Sequence, residues 1–244
     1  MSIKVLLSGG LDSALVMAMA IERHCNPETA RRVIQPVFVE YGQRHLVKER
    51  ASALMIANYF GCTLDVVEVR TQGGALTEEH GELDAESAVV PGRNLAMIRA
   101  CLPADEVWFG PTLEDHGVFE DCRLDFVMAA ESELGVRVRA PLLGFTKADV
   151  IASMYARGMD LAVEASYSCY QGDHQGDEAA CGFCGACSVR LKGFYELGLP
   201  DPQPYRNDAY RRPCPTCKTM GKPTPPGSRC HHPSLGWCAP HSGR

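Results

Sequence analysis

The chain has 244 residues, 45% of them hydrophobic and 22% charged, with a formal net charge of −6, the balance of a globular protein large enough for one sizeable domain and an appendage. No apolar run approaches the roughly 20 residues that a membrane-crossing helix needs, and the opening MSIKVLLS is too short for a secretory signal, so a cytoplasmic protein with no membrane partner is expected. The charge is uneven: from Asp201 onward there are seven basic and two acidic residues and nine of the sixteen prolines, which marks a compositional boundary near Leu199 to Pro202.

In chain order, IKVLL predicts a strand and Leu11 to His24 a helix with apolar positions at helical spacing. VIQPVFVE is a second strand, Gln43 to Phe60 a second helix closed by Gly61, and TLDVVEV a third strand. A loop from Thr71 to Val90 leads to a helix over Asn94 to Leu102, and EVWFG is a fourth strand. Asp121 to Leu134 is a helix, VRVRAPL a fifth strand, and Lys147 to Arg157 a further helix. Strands alternating with helices predict parallel pairing and right-handed crossovers, hence an α/β, doubly wound parallel sheet. Ligands of such sheets sit beyond the carboxyl ends of the strands. That rule places Ser8-Gly9-Gly10, Glu40-Tyr41-Gly42 and Gly110-Pro111-Thr112 on one rim. Three regions are expected: a nucleotide-binding α/β domain over 1–160, a zinc-binding and helical region over 161–200, and a basic Pro/Cys/His-rich tail over 201–244.

The first rim segment is SGGLDS, Ser8 to Ser13. Neither GxGxxG nor GK[ST] is present. Gly9 and Gly10 let the backbone approach an anion, and the start of the following helix favours negative charge. Ser8 and Ser13 can donate to phosphate oxygens. Asp12 would repel bare phosphate, so it makes sense as a ligand of a magnesium ion bridging to phosphates. The plain alternative is a strand–helix turn with a capping side chain.

Twelve cysteines in a chain of this kind point to metal rather than disulfides. Cys25, Cys62, Cys101 and Cys122 are scattered and suit small buried hydrophobes, with Cys122 the candidate exception. Cys169, Cys181, Cys184 and Cys187 follow the spacing C-x11-C-x2-C-x2-C, which can close four thiolates around a structural zinc with no position left for water. Cys214, Cys217, Cys230 and Cys238 form a second, looser set, C-x2-C-x12-C-x7-C. In a proline-rich segment with few apolar residues a metal would have to do the folding; a disordered tail is the alternative.

SGGLDS after a first strand resembles the signature of the PP-loop ATP pyrophosphatases, which split ATP into AMP and pyrophosphate. Together with YGQRH, VPGRN, DCRLDF, PLLGFTKADVI, YSCY, CGFCGACSVRLKGF and GLPDP, it resembles the 7-cyano-7-deazaguanine synthase (QueC-like) family of queuosine biosynthesis, along nearly all of residues 3–202. The resemblance implies a HUP-type fold, a homodimer, and ATP, magnesium and zinc as cofactors. It implies that ATP adenylates the carboxylate of 7-carboxy-7-deazaguanine, ammonia displaces AMP to give an amide, and a second activation yields the nitrile.

On that reading Ser8, Gly9, Gly10, Leu11, Asp12 and Ser13, with Val39 and Arg44 near the end of the second strand, bind the nucleotide. Ser8, Asp12, Ser13, Arg93 and Lys147 are the catalytic candidates. For the substrate, Arg93 can face an anion and Asn94 can cap a helix. Asp121 suits the amino-pyrimidinone edge, Arg123 the carboxylate and Phe126 stacking on the ring. Each has a plain counterpart: a capped helix start, a surface Asp121–Arg123 pair, a solvated Lys147. His45 alone is more often a satisfied histidine than a catalyst, and Arg190 and Lys192 are candidates for a phosphate-facing wall. The family carries Gly-Tyr-Pro before its Asp-Cys-Arg, whereas this chain has Gly117-Val118-Phe119-Glu120, which alters the pocket loop.

Two further readings compete. A QueC-like ligase would transfer an adenylated deazaguanine to a protein or nucleic acid. A nucleic-acid-binding zinc protein would keep only a regulatory nucleotide site, its basic tail with Tyr205, Tyr210 and Trp237 contacting nucleic acid or an acidic partner. The intact set of Ser8, Asp12, Arg93, Asp121 and Arg123 argues against the last.

Overall fold

The computed structural model describes residues 1–24, 26–70, 75–77, 89–171, 179–206, 231–232 and 236–237. Its elements run β1 (Ile3–Leu6), α1 (Leu11–Glu22), α2 (Pro27–Val33), β2 (Ile34–Glu40), α3 (Leu46–Tyr59), β3 (Asp65–Glu68), α4 (Arg93–Ala100), β4 (Glu106–Trp108), α5 (Leu124–Leu134), β5 (Arg137–Arg139), α6 (Lys147–Ala156), α7 (Asp160–Ala165) and α8 (Gly185–Glu196). β6 (His231–His232) and β7 (Gly236–Trp237) form a separate antiparallel pair.

The five main strands pair in parallel in the order β3-β2-β1-β4-β5, the doubly wound class expected. Strand alternation builds two apolar layers. Ile3, Val5, Phe38 and Trp108 face one layer with Leu15 of α1, Ile56 of α3, Ile151 of α6 and Phe194 of α8. Val37, Val39, Val107 and Val138 face the other, with Ile98 of α4 and Val127 of α5. The chain turns outward in opposite directions from β1 and β4, which makes the carboxyl end of β1 the switch point where ligands of such sheets bind. The Ser8–Gly10 turn stands there.

Several elements differ from expectation, among them α7 and the β6–β7 pair, and two of them bear on the site or its neighbours. α2 was not anticipated; Asn26 caps it, its Oδ1 accepting from Glu28 N at 2.8 Å and Thr29 N at 3.3 Å, with Pro27 in the first turn. The helix expected from Asp121 begins at Leu124 instead. Residues 120–122 form a 3-10 turn and Arg123 is extended, φ −102° and ψ 164°, because Asp121 is already engaged by Asn94.

At the amino ends of β4 and β5, far from the switch point, a cavity of about 640 Å³ is lined by Met1, Asp105, Glu106, Glu131, Gly135, Val136 and Arg137. Glu106 is buried there and accepts from Arg137 at 2.8 Å, Arg23 at 3.1 Å and the Trp108 indole at 2.9 Å. Burial opposes its ionisation, but Arg137, Trp108, Arg23 and Arg139 together hold its carboxyl below the usual range. A depressed carboxyl stabilises the fold above its unfolded pKa and loses that contribution as the pH falls through the folded value. Glu106→Gln is therefore expected to cost about 1–3 kcal/mol at pH 7, with the difference from wild type shrinking on acidification below about pH 4, read by urea melts across pH.

Candidate active site

The turn after β1 is built by close packing. Gly9 has φ +86°, and a Cβ there would lie 2.6 Å from Glu49 O, 2.7 Å from Ala53 N and 2.8 Å from Ser52 Cβ, so α3 leaves no room for a side chain. Ser13 Oγ donates to Gly10 O at 3.0 Å, and the Ser8 and Ser13 hydroxyls pair at 3.2 Å. Gly10 stands at the N-cap of α1 without a side-chain cap, which leaves backbone N–H groups for an anion. Leu11 is a core side chain; toward a ligand it offers backbone alone.

Asp12 and Lys147 meet across this turn. Lys147 Nζ donates to both Asp12 carboxylate oxygens at 2.5 Å, and Lys147 N donates to Glu114 Oε1 at 3.0 Å. Lys147 is buried, not a solvated lysine. The capping box of Thr146 and Asp149 starts its helix. Gly193 of α8 lets that helix close on it, since a Cβ there would lie 2.9 Å from Lys147 Cγ. Burial pushes the Asp12 carboxyl up, Lys147 pulls it down, and Asp115 and Glu114 add to the rise.

A second group gathers at the start of α4, after a left-handed Gly92 at φ +69°. The Arg93 guanidinium lies over the Tyr41 ring at 5.6 Å and the Phe119 ring at 5.9 Å. Asn94 N donates to Asp121 Oδ2 at 3.2 Å, and Asn94 Nδ2 donates to Asp121 O at 3.0 Å and Cys122 Sγ at 3.4 Å. The Cys122 thiol is pushed up to about 12 by burial, with Asp115 and Asp121 adding. Arg93, Asn94 and Asp121 are thus brought together. Arg123 Nε donates to His116 O at 2.8 Å, a bond that orients the guanidinium and uses one of its five N–H donors. Phe126 packs edge-on against Phe109, centroids 6.3 Å apart, within the second apolar layer.

YGQRH forms an inner network. Tyr41 N donates to Gln43 Oε1 at 2.8 Å, and Gln43 Nε2 donates to Val39 O at 3.1 Å and Glu49 Oε2 at 3.2 Å. His45 Nε2 lies 3.3 Å from Glu49 Oε1. Val39 is a core side chain whose carbonyl is already engaged, and Arg44 N donates to Leu76 O at 2.9 Å. Gln43 and Glu49 had no role in the sequence reading, which placed Tyr41 on the rim and Phe119 in the pocket loop without assigning either a contact; the i, i+4 spacing of His45 and Glu49 was the available signal.

Cys169, Cys181, Cys184 and Cys187 are buried, with their sulfurs all within 4.8 Å of one another. Cys181 Sγ and Cys187 Sγ are 3.8 Å apart, the edge of about 3.8 Å expected for a tetrahedron with metal–sulfur bonds of about 2.3 Å. Backbone N–H groups of Cys181 and Tyr170 donate at 3.4 Å to Cys169 Sγ and Cys184 Sγ. These donors suit thiolate charge. The cluster is compatible with zinc. Of the scattered cysteines, Cys62, Cys101 and Cys122 are buried free thiols, and Cys25 lies outside the described residues.

Arg190 and Lys192 do not form a phosphate-facing wall. Arg190 is buried and bonds Asp201 at 3.0–3.1 Å and Ser166 Oγ at 2.8 Å. Lys192 is exposed beside Glu196 at 3.7 Å. Residues after 200 continue this region: Tyr205 bonds Asp201, Ala180 N donates to Pro204 O at 2.8 Å and Arg206 N to Ala180 O at 2.9 Å. Cys214, Cys217, Cys230 and Cys238 lie outside the described residues.

The chain matches the family model "Queuosine biosynthesis protein QueC" over residues 2–198. It is 34% identical to the 7-cyano-7-deazaguanine synthase of Magnetococcus marinus over 84% of this chain and 97% of the relative. It is 35% identical to that of Xanthomonas axonopodis pv. citri, over 82% and 96%. A solved "predicted subunit of tRNA methyltransferase" from Methanocaldococcus jannaschii overlaps 65% of this chain and 88% of its own, at 13% identity and a TM-score of 0.37, too distant to carry a conclusion.

Gly9 offers a direct test of the packed turn. Gly9→Ala is expected to lower the melting temperature by several degrees, about 2–4 °C per kcal/mol for a chain of this size, and to weaken nucleotide binding at least tenfold; calorimetric titration with ATP beside a thermal melt reads both.

Proposed function

Because the chain belongs to the QueC family of queuosine biosynthesis proteins, we propose that it converts 7-carboxy-7-deazaguanine, ammonia and ATP to 7-cyano-7-deazaguanine, as a carbon–nitrogen ligase. The observation that carries this reading is the placement of the packed Ser8–Ser13 turn at the sheet's switch point, together with the Arg93–Asn94–Asp121 group, in a chain with this family match. A carboxylate is a poor electrophile. Adenylation gives it AMP as a leaving group, ammonia takes its place to form the amide, and a second ATP activates the amide oxygen so that AMP departs and the nitrile remains.

The protein's part is positioning and charge neutralisation. The turn's N–H groups with Ser8 and Ser13 would hold pyrophosphate oxygens, and Lys147, released from Asp12, would meet charge developing on phosphate. Arg93, pressed between Tyr41 and Phe119, would grip the substrate carboxylate, and Asp121 would accept from the amino-pyrimidinone edge. Asp12, with Glu114 and Asp115 nearby, offers the hard oxygen donors that magnesium takes; that ion would offset phosphate charge. The four clustered cysteines would hold a structural zinc. Arg44 belongs to the nucleotide end of this reading.

Pairing of two chains is supported by exposed apolar side chains on α3, Val47, Leu54 and Met55, and by Leu161 on the adjoining α7. Among the described residues no helix is long and apolar enough to cross a membrane, and the buried free thiols suit a reducing compartment such as the cytoplasm. The positive charge from Asp201 onward supports contact with a nucleic acid or an acidic protein.

Incubation with ATP, magnesium, ammonium and 7-carboxy-7-deazaguanine, followed by mass spectrometry, is expected to yield AMP, pyrophosphate and the free nitrile. AMP without nitrile, with the deazaguanine mass added to a macromolecule supplied in trans, would overturn this reading in favour of a transferring ligase. Arg93→Lys is expected to lower kcat/KM for the carboxylate about 10²-fold, with the KM for ATP within about twofold of wild type, because an ammonium cannot grip a carboxylate through two parallel bonds.

A further inference from the structure

The four-cysteine site is set apart in sequence from the crevice, yet one side chain joins them. Tyr170 follows Cys169, and its N–H donates to Cys184 Sγ at 3.4 Å, so its backbone is held by one ligand covalently and by another through a hydrogen bond. It packs against the cysteine cluster and also against Leu76 and Val90, on which Phe119 packs as well. Among the described residues it is the only one that packs against both groups. It lies 5.7 Å, centroid to centroid, from the His45 ring.

Arg93 depends on this wall. Its guanidinium is bounded by the Tyr41 and Phe119 rings, and its Nε is buried with no hydrogen-bond partner among the described residues. A planar guanidinium grips a carboxylate through two parallel bonds only if its plane is fixed, and a misplacement of about 1 Å can cost 10²-fold in rate. Phe119 lies on an irregular segment between two 3-10 turns, residues 113–117 and 120–122. No helix or strand carries that ring; it packs against Leu76 and Val90, as Tyr170 does.

We propose that Tyr170 is a positioning residue that transmits the geometry of the four-cysteine metal site, through the Leu76–Val90 cluster that it shares with Phe119, to the Arg93 end of the crevice. The site is then more than a staple for the chain after α7: the metal sets where the substrate wall stands. This rests on the reading of the crevice given above for the substrate, but not for the coupling itself.

The test compares zinc-loaded protein with protein reconstituted with cadmium, a larger thiophilic ion, in wild type, Tyr170→Leu and Tyr170→Phe. Metal content by mass spectrometry establishes loading. Amide hydrogen exchange at residues 89–94 and 119–122 reads the coupling without reference to any substrate. In wild type the metal exchange is expected to alter protection in both segments by threefold or more and to shift the KM for 7-carboxy-7-deazaguanine by a similar factor, with the KM for ATP within twofold. Tyr170→Leu is expected to keep its metal, raise the carboxylate KM about tenfold and lose the response to metal exchange; Tyr170→Phe, which keeps the ring, restores that response. Equal responses in wild type and Tyr170→Leu, or none in wild type, would overturn the proposal. Should Tyr170→Leu not fold, Phe119→Leu breaks the next link: loss of the response at residues 89–94 supports the proposal, and its retention overturns it. A wild type that shows the exchange response but makes no nitrile would overturn the functional reading and leave the coupling standing.

Discussion

The absence of room beside Gly9 is the constraint on which the rest of the crevice depends. The Ser8–Gly10 turn is wedged against the backbone of α3 on one side, and on the other its Gly9 carbonyl accepts the Tyr167 N–H at 3.0 Å. A turn so confined has few conformations open to it, so its N–H groups need little reorganisation to face an anion. The same contact brings α3, and with it the Glu49–His45 pair, to the edge of the site. It also carries the chain that follows α7 to the rim, from which the cysteine cluster starts.

That returning chain makes the distant part of the sequence a wall of the crevice. Arg190, buried against Asp201, Ser166 and the Phe194 ring, locks α8 to the segments on either side of it. A buried guanidinium is tolerable because nearly every donor has an acceptor. Gly193 then lets α8 settle on α6 at the level of Lys147. The cation that faces Asp12 is thus supported by a helix whose own first turn carries Cys187, so the Ser8–Ser13 turn, Lys147 and the cysteine cluster share one packed body.

The crevice also stores electrostatic tension. Asp12, Glu114 and Asp115 crowd one lysine, and burial raises the Asp12 carboxyl even against Lys147. On the proposed reading, a cation arriving with the nucleotide would take the place of Lys147 beside Asp12 and leave the lysine available to phosphate. The Asp12–Lys147 ion pair would then be a resting arrangement of groups whose charges suit an incoming polyanion.

Much was legible from the sequence because its signals are local. Alternation of apolar runs with helical periodicity specified parallel β1 to β5, two glycines and an acid after the first strand marked the rim, and C-x11-C-x2-C-x2-C specified a thiol tetrahedron whose close sulfurs the structure bears out. These features follow from residue spacing alone, which a strand, a turn or a metal reads directly. What only the tertiary structure decided lies in contacts that no spacing encodes: Phe126 turned into the apolar layer beside Phe109, Arg123 Nε held by the His116 carbonyl, Arg190 paired with Asp201, and Tyr170 packed against both the cysteines and the Leu76–Val90 cluster. An arginine or an aromatic ring has the same local signature in a core as in a crevice, and which of the two it occupies depends on which segments meet around it in space.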